Sequence, residues 1–246
     1  MKKFLSVMLA LAMAMSLAAC GGSSSSSDNS GSSDSQGSDA SGNKVVKIGV
    51  FEPQTGDNGA GGKQEILGMQ YANYVQPTVE IGGETYDVQL EIVDNRTSAE
   101  NGPSAAAELV NRGVSVVLGS YGSGVSMAGG KVFEEAGIPA IGIGCTNPQV
   151  TSDCSVYFRV CFLDPQQGKI AGSFVYDNLG FDKAAILYDV NDDYALGLKD
   201  NFVKVFESKG GTIVAEEGYT AGDTDFTAQL TKIKEAQPQI IFTPIF

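Results

Sequence analysis

Apolar positions along this chain switch repeatedly between two spacings. Val45 to Phe51 is a short apolar run of strand type, and from Lys63 to Gln76 the spacing turns helical, with Ile66, Leu67, Tyr71, Tyr74 and Val75 able to share a face. Tyr86, Val88, Leu90 and Ile92 then alternate with polar neighbours up to Asp94, as a strand does. A helix is predicted to start between Ser98 and Pro103 and to end near Arg112-Gly113, because Pro is tolerated in a first turn. Val114 to Leu118 reads as a buried strand, Val125 to Ala136 as a helix stopped by Gly137, and Ile138 to Ile143 and Val156 to Val160 as two more strands. The rhythm continues with a helix from Gln166 to Leu179 closed by Gly180, a strand from Lys183 to Tyr188, a helix from Tyr194 to Lys209 and a strand from Thr212 to Glu217. Phe226 to Ala236 is the last predicted helix, with Asp225 as its N-cap, and Gln239 to Thr243 the last strand. Strands alternating with helices of this length predict an α/β fold with parallel sheets and right-handed crossovers.

Each half carries its own set of elements, so the expected division is 44–160 for a first α/β lobe and 161–246 for a second. The chain stops on the apolar run Ile240 to Phe246 with no helix after it. A finished α/β domain covers both faces of its sheet, so the second lobe is expected to be incomplete.

The amino end reads as an address. Lys2 and Lys3 precede an uncharged, largely apolar run from Phe4 to Ala19, shorter than the roughly 20 residues of a membrane span, as in a secretory leader. It ends in Leu17-Ala18-Ala19-Cys20, which resembles a bacterial lipoprotein box: 1–19 as signal peptide, Cys20 as the lipidated residue. Residues 20–43 are Ser, Gly, Asp and Asn with almost no apolar residue, which predicts a flexible tether. Lipid at Cys20 would hold the folded part on the outer face of the cell membrane.

Composition narrows the function. The formal charge of −13 disfavours nucleic acid, whose recognition rests on cationic side chains. The chain has no His, the commonest general base and metal ligand, and no C-x-x-C pair, so no metal or cofactor is expected. Ser123 lacks a His partner, and neither Lys131 nor Asp164 has the spacing of a base, which argues against an enzyme. Beyond Cys20, Cys145 and Cys154 either close a small disulfide loop or stay unpaired with Cys161.

In open α/β sheets ligands sit beyond the carboxyl ends of the strands, and the loops there are rich in small and hydroxyl residues. Glu52 to Gly62 follows the first strand, Ser120 to Gly124 the third, and Gly144 to Pro148 the fourth. A phosphate-loop reading fails, because Gln64 follows Gly62-Lys63 and Asp57 stands where a Gly is needed. These loops can hold a carboxylate instead, since Gly admits close approach to backbone N–H groups at a helix start. The Ser123 hydroxyl either bonds such an anion or caps its helix, and Thr146 precedes the turn signal Asn147-Pro148.

With the lipoprotein box, five stretches carry a resemblance to the branched-chain amino acid type of substrate-binding lipoprotein of ATP-driven (ABC) importers. They are Lys47-Ile-Gly-Val-Phe-Glu-Pro-Gln-Thr-Gly56, Val116-Val-Leu-Gly-Ser-Tyr-Gly-Ser123, Cys145-Thr-Asn-Pro-Gln-Val-Thr151, Phe158-Arg-Val-Cys-Phe-Leu-Asp-Pro-Gln-Gln-Gly168 and Ala221-Gly-Asp-Thr-Asp-Phe226. The resemblance implies the type I periplasmic binding protein architecture: two Rossmann-like lobes, joined by hinge crossovers, closing over an amino acid, with permease subunits as partners. It places the first crossover near Arg159 to Asp164 and implies Ser123 and Thr146 as ligand-binding side chains. Backbone groups of Gly144 and Cys145 would lie beside them, and Asp164 and Tyr194 would complete part of the pocket. Read without the resemblance, Asp164 is equally a cap ahead of Pro165 and Tyr194 an aromatic packed at a helix start. Relatives often carry an aromatic where this chain has Gly61, so the pocket wall is expected to be wider or built elsewhere, and the acidic partner of the ligand ammonium is expected beyond Phe246. The alternative function is a ligand-sensing ectodomain of the same fold that feeds a signalling receptor.

Overall fold

A computed structural model of the protein describes residues 44–245. The expected leader, lipidated Cys20 and tether lie outside the described residues. Strand β1 (Lys44–Glu52) decides what each face of the first sheet meets. By strand alternation Phe51 points to one side, where Val93, Leu109, Val117 and Phe133 form the larger core, and Val50 points to the other, against Ile66 and Met69. Glu52 shares the side of Val50, and this puts a carboxylate at the buried end of the strand.

Helix α1 (Gly59–Val75) covers the Val50 side. It begins four residues before the helical spacing predicted, and its buried face is Gly59, Gly62, Ile66 and Met69. Leu67, Tyr71, Tyr74 and Val75, read from the sequence as members of a shared face, are exposed. The reason is close backbone packing: a Cβ on Gly62 would stand 2.1 Å from the Pro53 carbonyl oxygen. Two buried glycines carry no hydrophobic signal and therefore turn the helix away from its most apolar stripe.

After α1 comes a strand not read from the sequence, β2 (Thr78–Ile81), which turns through Gly82 and Gly83 to pair antiparallel with β3 (Glu84–Asp94). The predicted alternation then resumes as α2 (Gly102–Asn111), β4 (Val116–Leu118), α3 (Ser123–Ala136), β5 (Ala140–Gly142), a single helical turn α4 (Gln149–Ser152) and β6 (Tyr157–Arg159). The sheet order is β2-β3-β1-β4-β5-β6, with every pair after the first parallel. Gly137, at φ 67°, ends α3 in the left-handed conformation that glycine adopts without strain. Phe51 meets Phe133 edge to face at 5.4 Å between ring centroids and so ties β1 to α3.

Residues 160–163 lead from β6 to α5 (Asp164–Ser173), where the first crossover was expected. The helix predicted over 166–179 begins at Asp164 and finishes in a widened turn, Phe174–Asn178, with Gly180 at φ 68° after it. The second sheet is formed by β7 (Lys183–Asp189), β8 (Thr212–Tyr219) and β9 (Ile240–Phe242), all parallel in the order β8-β7-β9. Its helices are α6 (Asp193–Ser208) and α7 (Thr227–Ala236). The last helix begins one residue later than predicted, with Phe226 rather than Asp225 in the cap position and no side-chain cap; Asp225 Oδ1, just before it, accepts the Thr227 N–H at 2.9 Å. Phe202 of α6 stacks between Phe206 at 5.5 Å and Phe242 of β9 at 4.1 Å. No helix of the described residues is long and apolar enough to cross a membrane.

Candidate functional site

The carboxyl ends of both parallel sheets open onto one cleft of about 550 Å³. The first lobe contributes Asp57, Asn58 and Gly61 after β1, Thr97 after β3, and Tyr121 to Val125 after β4. The second contributes Asp189, Asn191, Asp192 and Asp193 at and after the end of β7, Tyr219 and Ala221 at the end of β8, and Pro244 and Ile245 after β9. This is where a doubly wound α/β fold places a ligand.

The two walls differ in charge. On the first, α3 begins at the cleft, with Gly122 at φ 121° bending the chain so that the helix can start there. A helix start presents unpaired N–H groups and a partial positive charge, suited to a carboxylate. On the second wall stand Asp189, Asp192 and Asp193, with Asp57 across from them, and no Lys or Arg among the described lining residues. Asp192 caps α6 by accepting the Tyr194 N–H at 2.9 Å. Burial, then the nearby charges of Asp189 and Asp193, push its carboxyl up to about 6. A positive group placed there would relieve that repulsion.

The Tyr121 ring stands beside both Gly61 and Gly144: a Cβ on Gly61 would lie 2.6 Å from it, and one on Gly144 would lie 3.2 Å from it. Beneath it lies a pair of carboxyls. Glu52 is fully buried, and its Oε2 accepts the Tyr121 N–H at 2.6 Å. Glu52 Oε1 and Glu65 Oε2 are both buried without a hydrogen-bond partner. Burial first, and the Glu65 charge second, raise Glu52 well above the ordinary carboxyl range. Burial also raises Glu65, while the neighbouring Glu52 carboxyl holds it back. Burial and the neighbouring Glu65 charge thus favour the protonated form of Glu52. At the other side of the loop, burial pushes Asp94 up, but hydrogen bonds from Thr55 Oγ1 at 2.6 Å and from the N–H groups of Gln54, Thr55 and Arg96 outweigh it and hold Asp94 low.

Of the six predicted binding residues, Ser123 alone lines the cleft. Its hydroxyl caps no helix; Oγ accepts the Asn147 N–H at 3.1 Å. Thr146 and Asp164 lie behind, both buried and joined by the Asp164 N–H to the Thr146 carbonyl at 3.1 Å. Neither Thr146 Oγ1 nor Asp164 Oδ2 makes a hydrogen bond of good geometry. Burial raises the Asp164 carboxyl, and the neighbouring Thr146 hydroxyl and Arg159 charge oppose it. Tyr194 is half-buried, close to Asp164, Tyr121 and Asp192, so the structure brings Ser123, Thr146, Asp164 and Tyr194 into one neighbourhood. Gly144 and Cys145 stand outside the lining, with Glu65 Oε1 2.7 Å from the point a Gly144 Cβ would occupy. Asn147, unremarked in the sequence except as a turn former, bridges the lobes: its Nδ2 donates to the Asp193 carbonyl at 3.0 Å. The acidic wall and Tyr121 were also missed, though both follow strand ends. Among the described residues no His, Cys, Asp or Glu cluster could hold a metal ion.

Residues 45–244 match a family model described as periplasmic binding protein. The Leu/Ile/Val-binding protein homolog 1 of Brucella abortus (strain 2308) is 33% identical over 199 residues, which is 80% of this chain and 53% of that protein. The crystal structure of a leucine binding protein, LivK, from Thermotoga maritima MSB8 is similar with a TM-score of 0.77 at 34% identity, over 81% of this chain and 56% of that one. The branched-chain amino acid transporter substrate binding protein LivJ of Streptococcus pneumoniae, in complex with isoleucine, gives 0.73 at 31% identity, over 81% and 57%. This chain thus spans about half the length of the proteins it matches.

Proposed function

Because this chain belongs to the periplasmic binding protein family, we propose that it captures a branched-chain or similar amino acid outside the cell membrane. In this reading it delivers the ligand to the permease subunits of an ATP-driven importer. The observation that carries the reading is the polarity of the cleft, with a helix start and Ser123 on one wall and Asp189, Asp192 and Asp193 on the other. A zwitterion has the matching pair of charges. Its carboxylate would take the Ser123 hydroxyl and the first N–H groups of α3, and its ammonium would face the acidic wall. Thr146, Asp164 and Tyr194, with the backbone of Gly144 and Cys145, are proposed as the remaining site residues. The ligand would be held between a first lobe of residues 44–160 and a second from 161 onward.

Calorimetric titration tests this with leucine, isoleucine and valine against carboxylic acids of the same side chain that lack the ammonium group. Charge-assisted hydrogen bonds contribute about 1.5–3 kcal/mol, so the des-amino acids should bind roughly 10- to 150-fold more weakly. Equal affinities for the two series would refute the zwitterion reading.

An anchor would keep the protein at the membrane surface where delivery takes place. Cys20 is proposed to carry lipid after removal of residues 1–19, with the Ser/Gly-rich segment to residue 43 as tether. Cys20→Ser should release the protein from the membrane fraction or block processing, and unchanged membrane association would refute the anchor.

A further inference from the structure

The three cysteines of the described residues are free thiols in unlike surroundings. Cys154, buried, donates to the Gly130 carbonyl at 3.4 Å. The Tyr157 ring parts it from Cys145. A Cβ on Gly130 would sit 3.0 Å from one ring edge and 3.5 Å from Cys154 Sγ, whereas a Cβ on Gly142 would sit 3.4 Å from the opposite edge and 2.1 Å from Cys145 Sγ. The pairing left open by the sequence, Cys145 with Cys154, is thereby blocked by an aromatic ring.

Cys145 has a different neighbour. Strands β5 and β6 run in parallel with Gly142 opposite Arg159, and the Val160 N–H donates to the Gly142 carbonyl at 3.0 Å. The two segments therefore leave the sheet side by side. Cys161 Sγ lies 3.5 Å from the Cys145 carbonyl oxygen, which Arg159 Nη1 also holds at 2.9 Å. The Cys145 thiol and the Cys161 sulfur are close enough to shift each other's ionisation. Cys145 is wholly buried and Cys161 is half-buried, so only one of the pair meets solvent.

We propose that Cys145 and Cys161 are a disulfide site, closed by exchange with a soluble low-molecular-weight disulfide, which ties the loop after β5 to the crossover into the second lobe. The Cys161 thiolate attacks one sulfur of the reagent disulfide. That S–S bond breaks, one thiolate leaves and takes up a proton, and a mixed disulfide remains on Cys161. Cys145 then loses its proton and its sulfur attacks Cys161 Sγ, and the second half of the reagent leaves as a thiol. Two protein thiols are oxidised by two electrons in all, and one reagent disulfide is reduced to two thiols. The division of labour follows from the surroundings: the neighbouring Cys145 thiol, helped by the Arg159 charge, lowers Cys161 to about 7, while Cys161 and burial raise Cys145. The half-buried sulfur is thus the nucleophile and the fully buried one resolves it. The pairing does not depend on what the cleft holds.

The test uses the reduced 246-residue protein and oxidised glutathione, with remaining thiols blocked by iodoacetamide and digestion carried out without reductant. The expected product is a peptide pair joined through Cys145 and Cys161, with Cys154 alkylated. In Cys145→Ser, Cys161 should keep the glutathione adduct that the native protein shows only in passing. A Cys145–Cys154 link, glutathione retained on Cys161 of the native protein, or no link at all would overturn the proposal. So would a Cys145→Ser protein whose Cys161 takes up no adduct.

Discussion

Replacing Glu52 by Gln isolates the protonated carboxyl beneath the cleft. Glu52 is fully buried, accepts the Tyr121 N–H at 2.6 Å and has the Glu65 carboxyl beside it. Its folded-state pKa is raised well above the ordinary value of 4.5, so between 4.5 and that raised value the folded protein binds more protons than the unfolded chain. The contribution of this group to stability is therefore fully present below pH 4.5 and is lost as pH rises through the folded value. The loss amounts to about 1.4 kcal/mol for each pH unit crossed inside that window. Gln needs no proton: its oxygen can accept the Tyr121 N–H and its amide can donate to Glu65. The variant should match the native protein near pH 4.5 to within about 1 kcal/mol, the size of one neutral hydrogen bond, and overtake it as pH rises. One pH unit inside the window corresponds to a thermal midpoint gain of roughly 3–6 °C for a chain of this size. Urea unfolding at closely spaced pH values between 4.5 and 8, with the slope m checked for constancy, measures the difference. Native and Glu52→Gln curves that stay parallel across this range would show that Glu52 is ionised in the folded protein, and its raised pKa would be refuted.

Two further changes test the walls of the cleft. Asn147→Ala deletes the bridge to the Asp193 carbonyl at 3.0 Å and the Oδ1 bond to the Gln149 N–H at 2.9 Å, and leaves the bond from its own N–H to Ser123. At about 0.5–1.5 kcal/mol per bond it should lower unfolding stability by about 1–3 kcal/mol in urea, and Asn147→Asp, which keeps the Gln149 bond, by less. Asp192 is ionised above about 6 and neutral below it, so affinity for a ligand with an ammonium group should fall as pH drops from 7.5 to 5. Asp192→Asn should remove that step in calorimetric titrations, and an unchanged step would place the ammonium elsewhere.

The element order was legible because a parallel sheet imposes it. Each strand needs an apolar run and each crossover a helix, and the punctuation by Gly137 and Gly180 appears at both levels, at φ 67° and 68°. What failed in the fold failed where packing is done by atoms without hydrophobic character. Helix α1 was assigned to the wrong face because Gly59 and Gly62 bury it through backbone contact, leaving Leu67, Tyr71 and Tyr74 exposed. The missed strand β2 has only four residues, Thr78–Ile81, and just two of them are apolar. Its one clear signal was the Gly82-Gly83 turn after it.

The site divides along the same line between place and partner. Its place follows from sheet topology alone, since nearly every lining residue comes from a segment after β1, β3, β4, β7, β8 or β9. Partners are set by register, which sequence distance does not report. Glu52 and Glu65 meet because one closes a strand on the side that the other's helix covers, although thirteen positions part them. Cys154 is nearer to Cys145 in sequence than Cys161, yet β5 and β6 bring Cys161 alongside and Tyr157 screens Cys154. Sequence separation enters loop closure only as a slowly growing logarithm, worth about 0.6 kcal/mol per doubling. A single strand pairing outweighs that preference, so the nearer cysteine loses to the one the pairing brings alongside. Ser123 follows the same rule: its place at the start of α3 was readable, but that its Oγ accepts the Asn147 N–H depends on two loops meeting at the ends of neighbouring strands.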